Sequence, residues 1–550
     1  MPHQPTAASP RGRAAPWLFA LALALCVATL GLAVLSRLSS YYVWDDAFMF
    51  ARYARNLAEE GKLAWNPRGE PTYGLTSLLY LGVVLAARAV APGSSPAPAL
   101  ILSSGACGAV AVVLMVVLVA RHAGTRGARR LGVLLVVLSL AFAARPLSAH
   151  FASGMDTTFA MAWLAAYVLM AKGAERSGTW RSYVLMGAWG GLAYFARPDL
   201  LVYSFAVPVA LLALGGDGLR RRRALVALGA TALVVAAQMG AAALTFGSAL
   251  PLPFYVKGVN VGGGALAARY RGVPGRQLLR FLLSHWPLVV PLVAAAGLDL
   301  RGFLRRTSAA EKGLAAGTVG FLGYYALLVL QVMHFEQRFY YPALPALALL
   351  GARGAAMLAE RVPEALRRRL EARAAAAWAA GVLAVAGCVA PSWLWMHRLW
   401  ASGRTRATFG RFGLLHHYRA LMANYWYRLD AFSALPDDLV MATTEIGLPG
   451  AMNPRKTIVD LAGLNETGFA LHGFSADGLF AKYQPDLFYL HPDYAELNRA
   501  IRTHPRFAAQ YEWVDRHALG TYLHVALWRR SGHYPAMRAI VAARRAPAAP

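Results

Sequence analysis

Two adjacent carboxylates, Asp45 and Asp46, follow the first long apolar run of the chain, residues 16–35. Ionisable side chains near a membrane are costly, so they mark function more often than packing. A carboxylate held there can act as a general base toward a hydroxyl group. The same pair could instead be a polar helix terminus, because Asp at a helix start satisfies free N–H groups and the helix dipole. The pair alone favours the helix terminus, and the rest of the chain reverses that preference.

The composition is that of a membrane protein. The chain has 550 residues, of which 57% are hydrophobic and 15% charged, and a mean hydropathy of +0.42. A formal net charge of +28 could indicate nucleic acid binding. However, much of the arginine lies in short clusters between apolar runs, which is the positive-inside signature, so we expect no nucleic acid partner. Cys26, Cys107 and Cys388 all fall inside apolar runs and predict neither a disulfide nor a metal site.

Eleven apolar runs approach the length that spans a bilayer. They lie near residues 16–36, 97–120, 131–149, 158–171, 182–196, 199–215, 224–246, 278–298, 313–333, 339–358 and 375–396. With the N-terminus in the cytoplasm, these spans place every arginine cluster of the connecting loops on the cytoplasmic side. Counting the segment from Tyr73 to Val90 as a span would reverse this, so it is predicted to be a juxtamembrane or re-entrant helix.

The same parity divides the chain. Residues 1–15 are predicted to be a disordered cytoplasmic end, and 16–396 a transmembrane module whose outer loop, 37–96, carries the Asp pair. Residues 397–535 are predicted to be an extracytoplasmic mixed α/β domain, followed by a disordered tail, 536–550. The predicted strands of the α/β domain are Leu439–Thr443, Thr457–Val459 and Tyr522–Leu527.

The parity also gathers the unusual polar motifs on the outer face. They are Asp45-Asp46, Ser153-Gly154-Met155-Asp156, Arg197-Pro198-Asp199, Phe254-Tyr255-Val256-Lys257 and Glu336-Gln337-Arg338. Carboxylates beside Lys and Arg on one face are suited to a hydroxyl nucleophile and an anionic leaving group.

In order along the chain, these motifs resemble those of GT-C glycosyltransferases. The first is Trp44-Asp45-Asp46-Ala47-Phe48, followed by Gly61-Lys62-Leu63-Ala64-Trp65-Asn66-Pro67. Later motifs include Pro342-Ala343-Leu344-Pro345, and Glu445-Ile446-Gly447 with Ile458-Val459-Asp460-Leu461-Ala462-Gly463-Leu464 resembles an outer domain of the family. The resemblance is strongest to a bacterial branch that includes the terminal arabinofuranosyltransferases, with the lipid A aminoarabinose transferases and protein O-mannosyltransferases more distant. It implies a membrane enzyme with a polyprenyl-phosphate sugar as donor and an extracytoplasmic glycan, lipid or protein as acceptor.

The chemistry that the resemblance implies assigns roles to particular residues. Asp45 is predicted to be the general base of an inverting transfer, with Asp46 orienting the acceptor or the base. Lys257 and Arg338, with Arg197 third, are predicted to hold the donor phosphate.

Each of the cations has a plainer alternative. Lys257 could be a snorkelling interfacial residue. Arg338 could pair with Glu336, and Arg197 with Asp199.

Two further carboxylates have weaker roles. Asp156 could help Asp45 or Asp46 hold a divalent cation, or it could cap the helix that begins at Thr157, which we prefer. Glu445 could touch the acceptor, and no cofactor is certain.

The chain also departs from the family pattern. Tyr73-Gly74-Leu75-Thr76-Ser77 stands where relatives often carry Glu-Gly-Tyr-Thr-Asn, which predicts an acceptor pocket different from theirs. Asp156 replaces a Glu that is common in close relatives, so the metal use of the relatives does not carry over to this chain.

Two other functions remain open. A ligase or polymerase with a pyrophosphate donor is the nearer one. A secondary transporter would carry charges at mid-bilayer and an internal repeat, and the sequence shows neither.

From the spans and their parity, the enzyme is expected in the bacterial inner membrane, multi-pass, with its active site and C-terminal domain extracytoplasmic.

Overall fold

The computed structural model describes residues 14–39, 43–92, 95–256, 272–329, 331, 334–363, 365, 374–401 and 426–543. Helices dominate the chain up to residue 401. They are α1 (Ala14–Ser39), α2 (Ala47–Glu60), α3 (Leu78–Val90), α4 (Ala97–His122), α5 (Arg126–Phe142), α6 (Ala144–Ala152), α7 (Thr157–Ser177), α8 (Trp180–Ala196), α9 (Leu201–Leu214), α10 (Gly218–Phe246), α11 (Leu252–Phe254), α12 (Val273–Ser284), α13 (Trp286–Leu298), α14 (Leu300–Arg306), α15 (Ala309–Leu327), α16 (Leu344–Glu360) and α17 (Ala374–Ala401).

Each of the eleven predicted apolar runs overlaps a helix or a bent pair of helices in the described residues. The bent pairs are α5 with α6, at 76°, and α12 with α13, at 93°. Pro287 is the second residue of α13 and cannot donate the N–H that would continue α12, which explains the second break. By length and apolarity, five helices of the described residues could cross a membrane, or up to seven if each bent pair counts as one span. The count of eleven therefore stays a prediction.

The segment predicted to be juxtamembrane or re-entrant contains α3, which has 13 residues. At about 1.5 Å per residue it is too short to cross a bilayer core of about 30 Å.

The C-terminal residues form the predicted mixed α/β domain. Its elements are α18 (Leu429–Ser433), β1 (Val440–Thr443), α19 (Gly447–Met452), β2 (Thr457–Asp460), α20 (Thr467–His472), α21 (Ala476–Lys482), β3 (Leu487–Leu490), α22 (Ala495–Thr503), α23 (Pro505–Gln510), β4 (Tyr511–Val514), α24 (Arg516–Leu519), β5 (His524–Trp528) and α25 (Tyr534–Ala542). The strand order is β2-β1-β3-β5-β4. Strands β1, β2 and β3 run parallel, and β5 is antiparallel to β3 and β4.

The predicted disordered tail was wrong for part of its length. Residues 536–542 belong to α25, which buries Met537 against the domain core. Its carbonyl at Val541 accepts a hydrogen bond from the Tyr427 hydroxyl at 2.9 Å. Residues 544–550 and 1–13 lie outside the described part of the chain.

The outer loop and the C-terminal domain share one hydrophobic core. Trp44, Phe48 and Trp65 of the loop pack in the same buried cluster as Ile458 and Tyr489 of the sheet domain. The indole N–H of Trp65 donates to the Ile458 carbonyl at 2.9 Å. Helix α2 thus packs directly against the C-terminal domain.

Arg52 of α2 is the central polar contact in this core, only 1% exposed. Its guanidinium donates to the carbonyls of Gly450, Asn453 and Lys456 at 2.6–2.8 Å. It also donates to the Trp65 carbonyl at 2.6 Å and to the Asn66 side chain at 3.0 Å. All five contacts use the planar fork of a guanidinium, and the charge lies 4.7 Å from the centre of the Trp65 ring.

We predict that Arg52→Lys destabilises the protein by about 3 kcal/mol, because an ammonium has three donors and leaves buried carbonyls unpaired. Thermal unfolding of the detergent-purified protein measures this loss. Arg55→Lys is the matched control: Arg55 pairs with Glu59 at 2.6 Å on the helix surface, where a charge-conserving change costs at most about 0.5 kcal/mol. Equal shifts in the two variants would contradict the central role of Arg52.

The topology prediction can be tested with single cysteines, because the three native ones are buried. We expect Ser475→Cys, at an exposed position, to react with a membrane-impermeant maleimide on intact cells. Arg222→Cys, in a predicted cytoplasmic cluster, should react only after permeabilisation. Labelling of Ser475→Cys that also needs permeabilisation would overturn the assignment of the outer face.

Candidate active site

One cavity of about 200 Å³ lies where the predicted outer ends of the helices meet. All five outer polar motifs of the sequence contribute to its wall. Their contributions are Asp46, then Met155 and Asp156, then Arg197, Pro198 and Asp199, then Pro253 and Phe254, and finally Arg338 and Phe339. The fold therefore brings together side chains that are up to 293 positions apart between Asp46 and Phe339.

Arg197 is held in a buried ion-pair cluster. Its Nη2 lies 3.0 Å from the Asp199 carboxylate and 3.1 Å from the Tyr325 hydroxyl, which in turn donates to Asp199. The pairing of Arg197 with Asp199, given as the alternative to phosphate binding, is present. Arg197 is therefore largely neutralised by its own cluster.

Asp156 turns toward the same cluster. It occupies the N-cap position of α7, but its side chain makes no capping hydrogen bond. Its Oδ1 lies 3.9 Å from Nη1 of Arg197. Burial raises the pKa of Asp156, and the Arg197 charge opposes that rise. The preferred interpretation of Asp156 as a helix cap was wrong, because its carboxylate faces the cavity cation instead.

Arg338 presents unused donors to the cavity. Its Nη2 donates to Oδ2 of Asp46 at 2.8 Å, and its side chain is 6% exposed. Its Nε and Nη1 are buried and have no hydrogen-bond partner among the described residues. Buried donors without a partner cost about 1–3 kcal/mol each. Binding of a group that accepts hydrogen bonds, such as an anion, is therefore favourable at this position. The suggested pair with Glu336 does not form, because Glu336 lies 3.2 Å from Arg37.

A strained turn aims Arg338 at the cavity. Glu336 and Gln337 both adopt left-handed backbone conformations, with φ of 48° and 59°. Such residues cost of order 1–3 kcal/mol each and persist only where the surroundings hold them. Here Nε2 of His150 contacts the Glu336 carbonyl at 2.9 Å, while Arg37 holds the Glu336 carboxylate.

Asp45 points away from the cavity, toward the C-terminal domain. Its two carboxylate oxygens accept the backbone N–H groups of Gly447 and Leu448, at 2.9 and 2.8 Å. Burial raises the pKa of Asp45 to about 6; the charge of Asp46 adds to the rise, and the two N–H groups oppose it. Gly447 permits this approach, because a Cβ there would lie 1.8 Å from the Asp45 carbonyl oxygen.

Of the remaining predicted site residues, the structure describes Glu445, which does not line the cavity. Glu445 is buried beside the Asp pair, and burial with those neighbouring charges raises its pKa well above the usual range. Lys257 lies outside the described residues. No three His, Cys, Asp or Glu side chains of the described ranges are grouped to hold a metal ion.

The C-terminal domain supplies a wall that the sequence analysis did not find. Leu464 lines the cavity at the tip of a loop that the Asp460 carboxylate organises by accepting four N–H bonds of residues 462–465. The same loop carries Asn465, whose side-chain oxygen accepts the Tyr53 hydroxyl at 2.8 Å. Gly74 makes room for it, because a Cβ there would lie 1.9 Å from that oxygen.

Comparisons with known proteins agree with this architecture. A family model described as dolichyl-phosphate-mannose-protein mannosyltransferase matches residues 74–240. Among solved structures, ArnT from Cupriavidus metallidurans bound to undecaprenyl phosphate superposes with a TM-score of 0.54 at 15% identity, covering 94% of this chain and 99% of that one. Its apo form gives 0.53 at 15% identity, with 94% and 98% covered. No curated protein matches the sequence significantly.

The chain has the fold of a GT-C glycosyltransferase. The family match and the shared fold support a multi-pass membrane glycosyltransferase that uses a lipid-linked donor.

We predict that Asp45→Asn moves the acidic limb of the pH–activity profile to lower pH. Below its pKa, Asp45 is neutral and loses the charge-assisted hydrogen bonds from the Gly447 and Leu448 N–H groups, whereas Asn does not titrate and so removes this step from the profile. In the wild type the limb should lie near pH 6, the pKa of Asp45. Turnover measured from pH 4 to pH 8 tests this shift.

The outcome separates the two carboxylates. Near-complete loss of turnover at every pH would instead identify Asp45 as the base. Asp493→Asn is a control, since Asp493 is an acidic neighbour of Glu445 that does not line the cavity.

Proposed function

We propose that this protein transfers a sugar from a polyprenyl-phosphate donor to a hydroxyl group of an extracytoplasmic glycan, lipid or protein. The observation that carries the proposal is Arg338, whose guanidinium contacts Asp46 and keeps two buried nitrogen donors, Nε and Nη1, for an anion. One cation thus lies beside both a carboxylate base and a place for a phosphate. The solved relative with undecaprenyl phosphate bound supports a donor of that class.

The step is a single displacement with inversion at the anomeric carbon. The acceptor oxygen forms a bond to that carbon while the bond to the phosphate oxygen breaks. The hydroxyl proton passes to a carboxylate, and the bonding electrons leave with the lipid phosphate. Arg338 stabilises the charge that develops there, with Lys257 as a second cation in the proposal.

The contacts favour an exchange of the roles first given to the Asp pair. Asp46 lines the cavity, whereas both oxygens of Asp45 accept backbone hydrogen bonds from the C-terminal domain. We therefore assign the base to Asp46 and a positioning role to Asp45. Arg197 becomes a support of the wall, because Asp199 and Tyr325 occupy its guanidinium.

A pyrophosphate donor is the second candidate within this chemistry. Its extra negative charge calls for more cationic partners than a monophosphate does. Of the two cavity arginines in the described residues, Arg197 is paired with carboxylates and Arg338 alone keeps unpartnered donors. The charge balance favours the monophosphate.

The predicted topology supports a reaction on the extracytoplasmic side. We place the enzyme in the bacterial inner membrane, with cavity and C-terminal domain on the extracytoplasmic side. Whether it transfers a hexose or a pentose is left to a screen of lipid-linked sugars that measures the release of polyprenyl phosphate.

We expect Asp46→Asn to lower turnover by about 10²–10⁴-fold while donor binding survives, because the amide cannot accept the proton. Arg338→Lys should weaken donor binding by about tenfold or more, since a point charge replaces the planar fork. Single-turnover kinetics and donor binding in the same detergent preparation measure the two effects separately.

Arg280→Lys is the matched control, because Arg280 is exposed and does not line the cavity. Normal turnover in Asp46→Asn would remove Asp46 from catalysis. Undiminished donor binding in Arg338→Ala would remove the phosphate site.

A further inference from the structure

A second cavity of about 240 Å³ lies at the other end of the helical module. Helix α7 connects the two: it starts next to Asp156 in the first cavity and, with 21 residues, extends about 30 Å at 1.5 Å per residue. That distance is the thickness of a bilayer core. The second cavity therefore lies at the opposite membrane surface from the sugar-transfer site.

Its lining is strongly basic. The charged residues that line it are Arg121, Arg129, Lys172, Arg176, Arg353 and Glu175. Glu311, fully buried beneath, adds a second carboxylate through contacts with Lys172 and Arg353. Five cations and two carboxylates leave a net charge of +3.

The two carboxylates, Glu175 and Glu311, already have partners at the base of the pocket. Glu311 lies 3.2 Å from both Nζ of Lys172 and Nε of Arg353, and it closes a capping box with Ser308. Glu175 accepts Nζ of Lys172 and the Ser308 hydroxyl, both at 2.7 Å. These contacts fix the floor of the pocket and leave its rim positive.

The rim arginines are positioned by backbone oxygens and a histidine instead of carboxylates. Nε of Arg129 donates to the Gly124 carbonyl at 2.8 Å, and Nη2 of Arg176 to Nδ1 of His122 at 3.2 Å. Arg121, Arg129 and Arg176 have no ion-pair partner within the described part of the chain. Gly124, at φ of 101°, brings the backbone close to Arg353: a Cβ there would lie 3.4 Å from its Nη1.

We propose that this pocket binds a phosphate-bearing anion on the cytoplasmic side. Guanidinium groups held at one site repel one another unless a counter-ion joins them, and phosphate suits their planar forks. The pocket opens at helix ends, at the depth where lipid headgroups lie, so an anionic phospholipid headgroup and free phosphate share the required chemistry. The site is separate from the donor site and does not depend on the proposed transfer reaction.

The test uses the full-length protein in a neutral detergent. Native mass spectrometry counts bound lipid during titration with phosphatidylglycerol or phosphatidylcholine, and thermal unfolding follows a parallel titration with inorganic phosphate. We expect the pocket variant Arg129→Gln/Arg176→Gln to bind phosphatidylglycerol about tenfold or more weakly, with phosphatidylcholine unchanged. Arg222→Gln/Arg305→Gln, two exposed arginines of other clusters, is the control and should bind as the wild type does.

Loss of phosphate-induced stabilisation in the pocket variant, with lipid binding intact, would support the site and identify free phosphate as its ligand. Should that variant fail to fold, Arg121→Gln provides a milder change, because its side chain has no ion pair in the described ranges, and about fivefold weaker binding is expected. Equal binding of lipid and phosphate by the wild type and the pocket variant would overturn the proposal. So would an equal loss in the control, because the attraction would then come from diffuse basic charge.

Discussion

The structure depends on the way in which one short helix of the C-terminal domain, α19, is gripped at both ends by α2 and the residues before it. Asp45 accepts the N–H groups at its start, and Arg52 donates to the carbonyls of Gly450 and Asn453 at its end. A carboxylate and a guanidinium seven positions apart thus satisfy groups that a helix leaves unpaired at each terminus. Because Arg52 is buried, its contacts cannot be replaced by water without a cost.

These contacts with α19 decide which residues of the C-terminal domain line the first cavity. Docking of the domain brings the loop with Leu464 over the cavity and seats Asn465 against Gly74. It also holds the chain at Asp45, and the next residue, Asp46, then faces Arg338. The C-terminal domain is therefore part of the cavity wall, and its removal would open the cavity to solvent and weaken every charge interaction inside it.

Much of this could be predicted from the sequence. Successive spans alternate in direction, and arginine clusters favour the cytoplasmic side. These two rules predicted that the polar motifs share one face before any contact was known. Runs of hydrophobic residues likewise predicted β1, β2 and β5. Strand β3 was missed because all four residues of Leu487–Leu490 are buried, and a short, uniformly apolar segment lacks the alternation that separates a strand from a helix.

The side-chain roles were harder to predict, because they depend on partners far away in sequence. Nothing near Asp156 indicates that Arg197 draws it away from a helix N-terminus, and nothing near Arg338 indicates that Glu336 pairs with Arg37. The adjacent Asp45 and Asp46 look equivalent as sequence. They differ only because the chain turns into α2 at this point, which directs one side chain to the domain and the next to the cavity.

That difference links docking to ionisation. Two adjacent carboxylates disfavour each other's charge, and this repulsion contributes to the raised pKa of Asp45. In the docked state, the N–H groups of Gly447 and Leu448 stabilise the charge on Asp45, and Arg338 stabilises that on Asp46. Separation of α19 would leave Asp45 without its two donors, and a proton would be shared more readily across the pair. By linkage, whatever strengthens docking must also favour the charged form of Asp45, and the ionisation of Asp45 must in turn strengthen docking relative to its protonated form. The C-terminal domain thus tunes the chemistry of the cavity through the carboxylate that does not face it.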